Sequence, residues 1–281
     1  MKKALTIGLF VTALATPAFA QTDTILYHKP GGLNDRLLTI IEASLGDDFG
    51  QRITMENCAA TKNYLSTASN PTLTLWSPEL QFQTEDGSPN PCSASDDMFV
   101  GTFAAAPFMI CHRADDSQAS SLDHLKNGNI RLGAYFSKYN MVPLSAVMSS
   151  LNPNSTVAPY KSSTTYRPAL QSGELDYIIT TSVKDGEKCV ATLGENPHDG
   201  LPTVNSMIDH PFNVFTYTYT IIGTNLVDPD SIIPNVHASD AWANRQDQKY
   251  VPFLSGSSRA KQLDWQTTFN EGVTKGVAEI N

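Results

Sequence analysis

Apolar and polar positions along the chain fall into two alternating rhythms. Short apolar runs at 24–28 (TILYH), 52–57 (RITMEN) and 72–76 (TLTLW) have the length of buried strands. Between them, 34–50 carries Leu37, Leu38, Ile40, Ile41 and Leu45 at helical spacing, and 60–68 (ATKNYLSTA) reads as a shorter helix. Asn34 or Asp35 is placed to cap the first helix, and Gly46 or Gly50 to end it. Strand, helix, strand, helix, strand is the order of a parallel sheet wrapped by helices.

The same rhythm returns further on. Residues 77–97 are rich in Ser, Pro and Asp and read as a surface excursion, and 98–114 is a long extended apolar stretch. A short helix at 121–129, a strand at 130–135, a helix at 140–151 with Pro143 in its first turn, and a strand at 156–160 follow. A helix at 166–173 and a strand at 175–181 complete a second α/β unit, with further strands at 188–194 and 214–223 and helices within 230–246 and 259–280. The expected fold class is α/β: two Rossmann-like domains joined by crossover strands. Residues 21–112 plus 225–281 form the first lobe and 113–224 the second. A cleft between hinged lobes follows from that plan.

Composition narrows the setting. Residues 1–20 begin with Lys2 and Lys3, continue apolar and end Ala-Phe-Ala, the pattern of a signal peptide cleaved after Ala20. Export to the periplasm is expected, and no later apolar run is long enough to span a bilayer. The whole chain has 19 Lys and Arg against 28 Asp and Glu; without Lys2 and Lys3 the balance is 17 − 28, or −11. Nucleic acid and anionic lipid are therefore poor partners. Four cysteines in an oxidising compartment point to two disulfides, and no pair stands at zinc-ligand spacing. Of the three pairings, Cys58 with Cys92 and Cys111 with Cys189 join neighbouring elements, the first tethering the excursion.

The stretch ILYHKPGGLNDRLLTIIEASLGDDFGQRITMEN resembles the opening of the Bug-type solute-binding proteins of tripartite tricarboxylate transporters. Pro30, Gly31, Gly32, Asp35, Gly50, Gln51, Glu56 and Asn57 match in order. VAPYKSSTTYRPALQSGELDYIIT is similar through Tyr160, Lys161, Ala169, Leu170, Gly173 and Asp176, and VATLGENPHDGLPTVNSM extends the likeness to about residue 210. Two turns depart from the pattern: Cys58-Ala59-Ala60-Thr61 and YFSKYNMVP after the 130–135 strand.

The resemblance implies a type II periplasmic binding protein fold and capture of a small organic acid between the lobes. It implies delivery to membrane permease subunits by a monomer, without cofactor, metal or catalytic residue. It nominates Gly31, Gly32, Asn34 and Asp35, then Trp76 and Ser77, then Phe136, Ser137 and Lys138, then Thr181 and Ser182. A helix start suits a carboxylate through its unpaired N–H groups, and glycine lets the backbone approach. A side chain at Gly32 is expected to block that approach while leaving the fold intact. Asp35 has a helix-capping role as its first alternative. Ser and Thr hydroxyls and the Lys138 ammonium would donate, with Trp76 and Phe136 against an apolar ligand body. The rival readings are a sensor subunit for a membrane kinase and a secreted hydrolase. No GxSxG, HExxH or paired-carboxylate signature supports the latter.

Overall fold

The computed structural model describes residues 21–77, 80, 90–134, 138–160, 162–208, 216–246 and 250–280. Two five-stranded sheets organise it. The first has the order β2-β1-β3-β10-β4, from β1 (Thr22–Leu26), β2 (Phe49–Thr54), β3 (Thr72–Trp76), β4 (Phe99–Pro107) and β10 (Thr216–Thr224). The second has the order β7-β6-β8-β5-β9, from β5 (Met109–Arg113), β6 (Ile130–Ala134), β7 (Ser155–Pro159), β8 (Tyr177–Thr180) and β9 (Glu187–Thr192). The first three strands of each sheet in chain order that carry helical crossovers, β1, β2, β3 and β6, β7, β8, run parallel; β10 and β5 run antiparallel to their neighbours.

Helices cover both faces of each sheet, as near-continuous burial of the strands requires. On the first sheet, α1 (Leu33–Leu45) packs Leu37, Leu38 and Ile41 on one face beside α6 (Pro229–Ala238). On the other face lies α2 (Cys58–Thr67), through Leu65. On the second sheet, α4 (Lys138–Leu151) packs Leu144, Val147 and Met148 on one face, with Leu125 of α3 (Leu122–Asn127). There α5 (Ser163–Gln171) packs Tyr166 and Leu170 on the opposite face. A short α7 (Asp240–Ala243) and a long α8 (Arg259–Ile280) close the chain, and Phe269 of α8 enters the core of the second sheet.

Both disulfides join the expected partners. Cys58, opening α2, bonds Cys92, and Cys111 of β5 bonds Cys189 of β9, its directly opposed residue in the antiparallel register. Boundaries differ from the periodicity in physically readable ways. The apolar run 98–114 is two strands, because β4 ends at Pro107 and β5 begins at Met109 in the other sheet. The chain thus changes sheets before the 112/113 boundary read from sequence. It has returned to the first sheet by Thr216, ahead of the 224/225 boundary. The fourth helix starts at Lys138, which puts Pro143 in the second turn and not the first.

Candidate functional site

In each sheet the chain winds one way and then the other, and the reversal marks the crevice where ligands of open α/β sheets sit. In the first sheet β2 lies to one side of β1 and β3 to the other, so the switch point falls between the carboxyl ends of β1 and β3. In the second it falls between the carboxyl ends of β6 and β8. The register brings these two edges together. Thr220 of β10 pairs with Trp76 at the end of β3, and Thr216 pairs with Pro107, the point at which β4 leaves the first sheet. Two residues later Met109 pairs with Thr180, the end of β8. The crossing strand therefore runs from the carboxyl edge of one sheet directly to that of the other.

Among the described residues, the nominated positions 31, 32, 34, 35, 76, 77, 138, 181 and 182 lie at or just after the carboxyl ends of β1, β3, β6 and β8. Gly31 and Gly32 form the turn between β1 and α1, with Gly31 at φ +75°, a conformation glycine adopts without strain. Both of their N–H groups are already engaged: Gly31 donates to Asp35 Oδ2 at 2.6 Å and Gly32 to the Lys29 carbonyl at 3.1 Å. The N-cap of α1 is Gly32, without a side-chain cap, so neither Asn34 nor Asp35 caps it; both lie in its first turn, and Gly46 ends it. The Asp35 carboxylate also pairs with Arg52 of β2. Arg52 in turn bonds Glu42 through Nε at 2.7 Å and Thr39 at 2.8 Å. Those two carboxylates stabilise the cationic form and hold the Arg52 pKa above its ordinary value, with the Glu42 hydrogen bond the largest cause. The network fastens α1 to β2 and fixes the glycine turn from below.

Trp76 ends β3 with 1% exposure, its ring in edge contact with Tyr27 and packed in the core beside Cys92, Met98 and Phe99. Ser77 follows it, half-buried, and accepts from the Leu80 N–H. Phe136 and Ser137 lie outside the described residues, and Lys138 begins α4 at the carboxyl end of β6. Thr181 and Ser182 follow β8, half-buried, with the Ser182 N–H on Thr180 Oγ1 at 3.2 Å.

A further group at this edge was not among the sequence candidates. Arg167 of α5 bonds Glu187 at 2.7 Å and the Ser182 carbonyl at 2.6 Å. Its place in the quoted YRPALQSG stretch was visible, but the partners that give it a role come from 13 to 20 residues away. At the other edge His28, half-buried after β1, has its pKa lowered by burial, which favours the neutral imidazole. Among the described residues no cluster of His, Cys, Asp or Glu is arranged to hold a metal.

No protein-family model and no curated protein matches the chain. Solved structures do match. A TctC solute-binding protein from Polaromonas, solved without ligand, superposes with TM-score 0.64 at 15% identity, covering 91% of this chain and 100% of that one. The chain has the two-lobed fold of the TctC and Bug periplasmic binding proteins. An R. palustris protein solved with adipate gives TM-score 0.56 at 16% identity, over 94% of this chain and 99% of that one. The periplasmic binding protein BugD gives 0.52 at 13% identity, over 93% and 96%. At these identities the likeness is one of fold. No helix among the described residues is long and apolar enough to cross a membrane.

Proposed function

We propose that the protein is a periplasmic solute-binding protein that captures a small organic acid between two lobes and delivers it, as a monomer, to membrane permease subunits. The observation that carries this reading is the meeting of two switch-point edges at the crossing strands, with the α1 amino terminus on one side and the Thr181-Ser182 turn on the other. Because Gly31 and Gly32 spend their N–H groups on Asp35 and Lys29, the glycine turn serves as a rigid support. The ligand carboxylate takes the first-turn N–H groups of α1 beyond Gly32, where the helix dipole favours negative charge. Ser77, Thr181 and Ser182 add neutral donors, and closure of the lobes brings both sets onto one ligand. The residues at these edges supply binding and orientation, with no reaction step.

A thermal-shift panel of dicarboxylates, tricarboxylates, aromatic acids and amino acids tests the reading, with adipate as its first member. A ligand present at 100 times its dissociation constant stabilises by about 2.7 kcal/mol, a readily measured shift. A response to sugars or cations and to no acid overturns the carboxylate assignment.

A further inference from the structure

Strands β8 and β9 run parallel on either side of β5, so the chain between them must cross the sheet. Parallel strands ordinarily need a crossover of a dozen or more residues, commonly a helix. Here the link is residues 181–186, six residues between Thr180 and Glu187. So short a crossover contains no helix of its own to pack, and its hydrogen bonds must come from elsewhere. They come from Thr180 and Glu187 at its two ends, from the Ala114 N–H on the Gly186 carbonyl, and from one side chain of another element, Arg167.

Arg167, projecting from α5, holds both ends of the link at once. Its Nε donates to Glu187 Oε1 at 2.7 Å at the start of β9. Its Nη2 donates to the Ser182 carbonyl at 2.6 Å and to Thr180 Oγ1 at 3.2 Å, at the end of β8. Glu187 completes the arrangement by accepting the Lys184 N–H on Oε2 at 2.9 Å, while its own N–H donates to the Lys184 carbonyl. The Glu187 side chain is 2% exposed and that of Arg167 18%. A charge pair so buried is held in one geometry, because loss of either partner strands the other in the interior. The planar guanidinium fork is what permits two directed contacts on separate segments, which an ammonium cannot reproduce.

We propose that Arg167 is the positioning residue of the second jaw: its guanidinium staples the two ends of the β8–β9 crossover and so sets where Thr181 and Ser182 stand in the cleft. The functional half of this inference rests on the solute-binding reading above; the structural half does not. Sequence reasoning placed the charge of this jaw on Lys138, one strand away, whereas the geometry gives Arg167 the task of shaping it.

Backbone hydrogen exchange on the full chain tests the staple, with the Ser182 and Lys184 amides as reporters. In Arg167→Met both should exchange at least about tenfold faster, the scale expected for loss of a charge-assisted contact, with β1 to β3 amides unchanged. The double variant Arg167→Met/Glu187→Gln removes the stranded carboxylate and keeps the test readable if the single one folds poorly. In Arg167→Lys the ammonium can still meet Glu187, so Lys184 should stay protected while Ser182 loosens. Exchange at wild-type rates in both the Met and the double variant overturns the inference. Calorimetric titration with adipate is the second arm, with affinity about tenfold weaker expected in the Met variant. A loosened crossover with unchanged adipate affinity overturns the role in the site. A wild-type protein that responds to no acid overturns the solute-binding reading, and the exchange rates then decide the staple by themselves.

Discussion

Asp35 and Gly32 show how a residue's neighbours decide its role. Asp35 accepts the Gly31 N–H and pairs with Arg52, so its carboxylate is fully engaged within the fold. Asp35→Asn should therefore lower stability by about 1 kcal/mol, a modest value because both partners are partly exposed, read as a fall in the urea midpoint. A variant that keeps its midpoint and loses only ligand affinity would place Asp35 on the ligand after all. The expectation that a side chain at Gly32 leaves the fold intact does not survive the geometry. A Cβ there would stand 2.9 Å from the Lys29 carbonyl oxygen, close enough to move the turn. Gly32→Ala should thus destabilise as well as weaken binding, and both losses should appear together in one thermal titration.

At the scale of elements, what was legible in the sequence was whatever local chemistry dictates. Leu37, Leu38 and Ile41 share one buried face of α1 as their spacing requires, whereas the cap expected at Asn34 or Asp35 falls to Gly32. Cys111 and Cys189 were paired from neighbouring segments, and the register sets them opposite each other. What was not legible depended on contacts between distant segments. The break at Phe108 hides inside one continuous apolar run, since β4 and β5 are buried alike although they belong to different sheets. Trp76 shows the same limit within the candidate site. Its position after an apolar run suits a ligand platform as well as a core residue, and only its packing beside Cys92 and Met98 sets it in the core. Arg167 was invisible because its meaning lies in Glu187 and Ser182.

Elements also set the pH response. Burial lowers the pKa of His112 in β5 and of His237 in α6 below the ordinary 6.5, against smaller opposing contributions. His237 Nε2 sits 2.6 Å from the Phe103 carbonyl of β4 and donates to it. A histidine with a depressed folded-state pKa takes its proton later in the fold than in the unfolded chain. Stability is then full above about 6.5 and falls as pH drops from there toward the folded value. The slope approaches about 1.4 kcal/mol per pH unit for each histidine within that window. His237→Gln should flatten the dependence of the melting temperature on pH between roughly 7 and 5, the range that opens on the acid side of the ordinary value. A slope identical to wild type would show that His237 does not contribute.

At the scale of the whole molecule, the two sheets are joined by more than the crossing strands. α8 packs Leu263 against the first sheet's core and Phe269 into the second's, so one rigid element touches both. Near the crossing strands a second tie forms. Glu195, in the loop after β9, accepts the Leu254 N–H at 3.0 Å and the Ser255 hydroxyl. That segment is anchored to the first sheet by the Val251–Ala105 bridge. Beside it lies a cavity of about 300 Å³ lined by Pro107, Gly194, His198 and Phe253. The closure proposed above needs ties that can release, and one carboxylate with two acceptor oxygens can hold an orientation and release it at the cost of about 1–3 kcal/mol. Glu195→Ala should consequently widen the distribution of lobe orientations in the ligand-free protein, seen as a larger radius of gyration by small-angle scattering, while added ligand restores the compact value. An unchanged ligand-free scattering profile would show that the crossing strands and α8 fix the lobes by themselves and that Glu195 only closes a surface loop.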